Sequence, residues 1–357
     1  MRQAGLFGLS DHLKRLSAHG DPLKELSRII DFERFRPTLL AALAYGDGAK
    51  GGRPPYDPVA MLKVLILAAQ NNVSYARMEY LIRDRLSWLR FLGFDLGVAT
   101  PDANTICLFR EKLTEASALE VLFADFDRQL KKRGFLAMGG QIVDATLVAA
   151  PKQRNTAPEK EAIKAGKKAS EIWPDDPARA AQKDTDARWS LKFAKAKPLA
   201  NGKPGIDIAI PSFGYKSSVS ICRTFGFIRK RKVTDAARFD GRPRDVVTSD
   251  NTASDVWADT AYRSQANEAG LKRQSRVSCI HRKKPRCKPM PERTARANAA
   301  KSKVRARVEH VFARQKDQMG LFIRTIGIKR AEAKITLANL AYNMHRLIFH
   351  ERRATMG

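Results

Sequence analysis

The chain has 357 residues, 43% of them hydrophobic, enough for two or three domains with real cores and too many for a disordered chain. Its 66 Lys and Arg against 37 Asp and Glu leave a formal charge of +29, which a compact protein tolerates best beside a polyanion, so nucleic acid is the expected partner. A membrane is the weaker partner, because no segment joins a basic face to a broad Trp/Phe/Leu face and none approaches the roughly 20 apolar residues of a spanning helix.

Met1 to Ser10 lacks a long apolar core, so no secretory leader is expected. The four cysteines, Cys107, Cys222, Cys279 and Cys287, form no CxxC pair. Cys279-Ile280-His281 with Cys287 fits no standard zinc spacing, so free thiols in a cytoplasmic, nucleoid-associated protein are expected.

Residues 1 to about 135 read as helical. Asp57 caps a helix with Pro58 in its first position and an apolar run from Met61 to Leu67. Asn71-Asn72-Val73 ends it, and Ser74 caps a second helix from Tyr75 to Arg83. Two helices across a tight polar turn at 57–83 resemble a helix-turn-helix, and equally an αα-hairpin in a bundle. Asp102 starts a further helix, and another covers Ala116 to Lys132.

The pattern changes at Gly139-Gly140. Gln141 to Val148 is a short, nearly continuous apolar run, as in a central strand, and Asp144 falls inside it. A carboxylate there needs a cation or a metal, unless it reaches solvent at the strand edge. Pro151 to Pro204 is polar, Lys- and Ala-rich, and reads as a partly helical insertion anchored by Trp173 and Trp189. Strands follow at Gly214 to Ile221 and Phe227 to Thr234, then a helix or loop at Asp245 to Asp255. A short strand begins at Val256 and delivers Asp259 to the carboxyl edge of the sheet, the usual place for active sites in α/β sheets.

Lys272 to Lys303 is the most basic stretch, with Arg282, Lys283, Lys284 and Arg286 among its cations. It leads into Lys301 to Lys316, where Val304, Val308, Val311 and Phe312 recur at helical spacing. Arg305, Glu309 and Lys316, at i, i+4 and i+11, fall near one face of that helix at about 100° per residue. An acid among cations suits a metal site facing phosphate; the alternative is an Arg305–Glu309 surface pair. Ala331 to His350 forms a last helix with an apolar face through Leu337, Leu340, Met344 and Leu347.

Asp144, Asp259 and Glu309 are therefore two strand acids and one on a basic helix. Such a set fits two Mg²⁺ ions, Asp144 bridging both and the others holding one each, with in-line displacement at phosphorus as the chemistry. Val143-Asp144-Ala145-Thr146, Asp259-Thr260-Ala261-Tyr262-Arg263-Ser264 and Arg305-x3-Glu309-x6-Lys316 resemble the three blocks of a DDE transposase, above all those of the bacterial insertion sequence five family. Gly52 to Pro58, Pro101 to Ile106, Arg282 to Pro285, Thr325-Ile326-Gly327 and Ala338 to Asn343 extend the resemblance over nearly the whole chain.

It implies a ribonuclease-H-like catalytic domain at 136–352, with an insertion at about 151–204, behind a helical domain at 1–135. It implies a catalytic Asp144/Asp259/Glu309 set holding Mg²⁺ or Mn²⁺, nicking at element ends, and transfer of the 3′-OH to target DNA. Terminal inverted repeats would be bound by the helical part, which would alternatively build a homodimer. Arg305, Lys316, Arg282, Lys283 and Lys284 are the expected DNA contacts. Tyr262 either stacks on DNA or packs beside its strand. The chain departs from the family pattern at Ser302, where a Tyr is usual, and at Ser218 and Cys222, where a His and an acid are usual. A nuclease that cuts without joining, and a DNA-binding protein acting by charge alone, are the alternative functions.

Overall fold

The computed structural model describes residues 8–44, 54–194, 207–238, 246–285 and 288–356. Gly52, Arg53, Arg286 and Cys287 lie outside them. The chain divides into two compact units, one of residues 1–135, 317–320 and 336–357, the other of 136–316 and 321–335.

The first unit is helical: α1 (Gly8–Ala18), α2 (Pro22–Ile29), α3 (Arg36–Leu43), α4 (Pro58–Asn71), α5 (Tyr75–Asp84), α6 (Leu86–Leu92), α7 (Ala103–Glu115) and α8 (Ala118–Lys132). The caps sit where the sequence puts them. Asp57 accepts from the Ala60 N–H at 2.9 Å and Asp102 from the Thr105 N–H at 2.7 Å. Helix α4 buries all of its residues from Pro58 to Ala69 except Lys63, so it is the centre of this unit's core. Asn72, left-handed at φ 50, ends it, and Ser74 caps α5, whose Met78, Leu81 and Ile82 are buried while Arg77 lies 4.5 Å from the exposed Tyr80 ring.

The second unit holds a six-stranded sheet: β1 (Gln141–Ala149), β2 (Arg188–Ala194), β3 (Ile208–Cys222), β4 (Ile228–Asp235), β5 (Asp255–Trp257) and β6 (Val277–Ser278). Its order is β2-β3-β1-β5-β6, with β4 also paired to β3. β1 runs antiparallel to β3 and parallel to β5, and β5 is parallel to β6. Gly140 permits the β1–β5 approach: a Cβ there would stand 2.3 Å from the Trp257 ring and 2.7 Å from the Asp255 carbonyl. The Asn251 amide closes both hydrogen bonds with the Gly140 backbone at 2.9 Å, and Gln141 does the same with Thr248.

The segment after β1 carries α9 (Ala157–Lys164), α10 (Ala169–Ile172) and α11 (Pro177–Gln182), then β2. Trp173 is buried and donates to Glu159 at 2.8 Å, whereas Trp189 is largely exposed on β2, a strand absent from the sequence reading. Buried Asp184 joins this segment to the sheet, accepting from the Asp186 and Ala187 N–H groups, from the Tyr215 hydroxyl at 2.6 Å and from the Gly327 N–H at 3.3 Å. The remaining helices are α12 (Gln265–Arg273), α13 (Glu292–Ala313) and α14 (Ile328–Met356). Asp186 accepts from the Ile328 N–H at 2.8 Å, so two carboxylates from one loop meet the N-terminus of α14.

Candidate active site

The position of Asp144 follows from strand register. β1 and β5 pair in parallel through Gln141–Val256 and Ile142–Trp257. Two residues further on, the same register sets Asp144 opposite Asp259, and the period of two in a strand puts both side chains on one face. The ladder itself ends at Ile142–Trp257, just short of the two acids, which opens the carboxyl edge. Asp259 is still extended, at ψ −179, and its carboxylate accepts from the Ala261 N–H at 2.8 Å to cap a short 3₁₀ turn, Thr260–Tyr262.

Asp144 is 9% exposed. Burial raises its pKa, the Arg305 guanidinium and the Ala145 N–H lower it, and the charge of Asp259 raises it again. The net direction is upward, and the Asp259 influence shows that the two acids share one field. Arg305 on α13 reaches across to Asp144, Nη2 to Oδ2, at 2.8 Å.

Helix α13 is strapped over this edge by residues one turn apart. Asn298 makes two 3.0 Å hydrogen bonds with the Arg282 backbone, and Lys301 donates to the Ile280 carbonyl at 3.0 Å. With Arg305 they form one stripe at i, i+3 and i+7. The basic stretch is thus folded against the helix. Arg282, Arg293, Thr294, Ala297, Asn298 and Lys301 line a groove of about 440 Å³. Lys283 and Lys284 are exposed beside it.

Glu309 lies one turn beyond Arg305 and is exposed. Among the described residues no three acids, histidines or cysteines stand close enough together to hold a metal ion. The β1–β5 register brings Asp144 and Asp259 toward each other, while Glu309 is exposed on α13. Lys316 is exposed in a π-helical turn, Arg314–Gln318, that continues α13. Tyr262 packs beside its strand and does not stack on DNA: it is 2% exposed in a core cluster with Val143, Val256, Leu271 and Ile280. Ser302 is exposed on α13, while Cys222 is fully buried in β3.

The sequence reading missed Asn298 and His281 as parts of this region, and had Lys301 only as one cation of the basic stretch. His281 is 8% exposed. Burial first, then the charges of Arg305 and Lys301, pull its pKa below the usual histidine range, and Asp259 opposes them.

Two family models match the chain: Transposase domain (DUF772) over residues 11–112 and Transposase DDE domain over residues 226–344. The chain belongs to the DDE transposases. No solved structure matches it. As a DDE transposase it is a DNA-cleaving and strand-transferring enzyme, dependent on divalent metal, and its catalytic domain has a ribonuclease-H-like fold, in keeping with the mixed helix and sheet described here. The second match includes Asp259 and Glu309; Asp144 precedes it. The transposase's donor set suits the ion: Asp144 and Asp259 offer only oxygens, as Mg²⁺ and Mn²⁺ prefer, and the charges of buried Asp144 and half-buried Asp259 repel each other and favour a cation, a role Arg305 fills in this structure. No helix of the described residues is long and apolar enough to cross a membrane.

Proposed function

We propose that Asp144, Asp259 and Glu309 hold two divalent ions, Mg²⁺ or Mn²⁺, at which this transposase cuts the ends of an insertion sequence of the insertion sequence five type and joins the freed 3′-OH ends to target DNA. The observation that carries this reading is the register that sets Asp144 beside Asp259 under the Arg305 stripe. Ions held there would supply activation of the attacking oxygen and stabilisation of the leaving one.

The chain's own residues do the rest. Arg305, Lys316 and the Arg282, Lys283 and Lys284 loop hold backbone phosphates, which fixes the reacting strand over the acids. Glu309, exposed on α13 one turn beyond Arg305, would complete the donor set when the ions are bound. The helical part, 1–135, with the 57–83 pair, recognises terminal inverted repeats or builds a homodimer, and 136–352 is the catalytic domain with its insertion at about 151–204.

The test is strand transfer of labelled element ends into a plasmid in Mn²⁺. Wild-type protein is expected to join them, and Asp144→Asn, Asp259→Asn and Glu309→Gln each to abolish joining while retaining DNA binding. Joining that survives Asp144→Asn removes the proposal.

A further inference from the structure

The parallel register continues past β6. The Cys279 N–H donates to the Val256 carbonyl at 2.9 Å and the His281 N–H to the Ala258 carbonyl at 3.1 Å, two residues beyond the Val256–Ser278 pair. His281 thereby stands opposite Asp259, as Asp259 stands opposite Asp144. Continued to this level, the register sets the three residues in one row across adjacent chain segments, on one face.

Two buried nitrogens at this row have no hydrogen-bond partner among the described residues: His281 Nε2 and Arg305 Nε. A guanidinium Nε–H can only donate, and a buried donor left unpaired is costly. The Lys301 ammonium lies at the same place, bonded to Ile280 next in the chain to His281. What these groups lack is an acceptor, and an anion beside the Lys301 and Arg305 charges would supply one. In a DNA-joining enzyme that anion is the phosphodiester.

We propose that His281 is a catalytic residue that donates a hydrogen bond from Nε2 to a non-bridging oxygen of the reacting phosphodiester, beside Arg305, and so holds the phosphorus in front of Asp259. The imidazole keeps its proton throughout. This inference rests on the assignment of Asp144 and Asp259 as the catalytic acids.

Three variants test it in the full chain with pre-cut element ends and Mn²⁺: His281→Phe, which fills the space without nitrogen, His281→Gln, which restores a donor, and Asp259→Asn as control. His281→Phe is expected to melt like wild type and to lose about 100-fold in the joining rate at saturating DNA, the usual cost of one transition-state donor. Its KM for ends and its half-saturating Mn²⁺ concentration should stay near wild type, and His281→Gln should recover most of the rate.

Wild-type joining by His281→Phe overturns the inference, as does a folded but inactive His281→Gln. A marked rise in half-saturating Mn²⁺ overturns it in favour of a metal ligand. If Phe unfolds the protein, His281→Ala with added imidazole decides: rescue supports the donor role, and failure of rescue overturns it. Inactive Asp259→Asn with active His281→Phe removes this inference alone, whereas active Asp259→Asn removes the assignment of the acids.

Discussion

Asp144 shows how a functional side chain can oppose folding. Its pKa is raised in the folded chain, chiefly by burial, so ionisation costs the folded state more than the unfolded one. Above the unfolded carboxylate pKa of about 3.9 the folded state therefore loses stability as pH rises through the raised value. Asp144→Asn is expected to raise the melting temperature of metal-free protein at pH 7.5 by a few degrees, and to remove the further rise that Mn²⁺ gives the wild type. A lower melting temperature for this variant in EDTA would mean that the ion pair with Arg305 outweighs the burial cost. Arg305 also competes with any cation for that carboxylate at 2.8 Å. Arg305→Ala should therefore bind Mn²⁺ several-fold more tightly by calorimetry while binding DNA more weakly; weaker Mn²⁺ binding would contradict the competition.

At the scale of elements, one carboxylate ties the insertion to both the sheet and α14, alongside the β2–β3 ladder and Asp186. Asp184 serves two backbone N–H groups of its own loop, the Tyr215 hydroxyl on β3 and the N-terminus of α14 through Gly327. Asp184→Ala leaves several buried donors unpaired and is expected to cost about 3–5 kcal/mol, read as a lower denaturant midpoint. An unchanged midpoint would show that the loop does not depend on it. Gly327 itself is left-handed at φ 92, which explains a glycine just before this helix.

The legibility of these elements differed for physical reasons. β1 was readable because glycines open an apolar run around a single acid, and the caps at Asp57, Ser74 and Asp102 were readable because capping is local chemistry. β2 was missed although Trp189, Leu191 and Phe193 alternate with period two, because its surroundings are Lys-rich and the apolar residues stay exposed. The row through His281 was hidden because β6 is two residues long, and its ladder continues only through two backbone hydrogen bonds. The underwound turn at Arg314–Gln318 has no local signature that a periodicity count detects.

For the whole molecule the charge of +29 is the dominant quantity, and its use is testable through salt. Each phosphate neutralised adds about 0.9 to the slope of log affinity against log salt. Replacing Lys283 and Lys284 together by Ala should lower that slope by about 2 and weaken binding alike on element ends and unrelated duplexes. An unchanged slope would make this loop a solvated surface. Register brings Asp144 and Asp259 together from positions far apart in the chain, and that convergence is the claim on which the enzyme's mechanism depends. The most direct measurement is anomalous diffraction at the manganese edge from crystals of the transposase grown with element-end DNA and Mn²⁺. The account predicts manganese peaks at the Asp144 and Asp259 carboxylates, with Arg305 turned from Asp144 toward phosphate. Manganese found only elsewhere, with the Arg305–Asp144 pair intact, would contradict it.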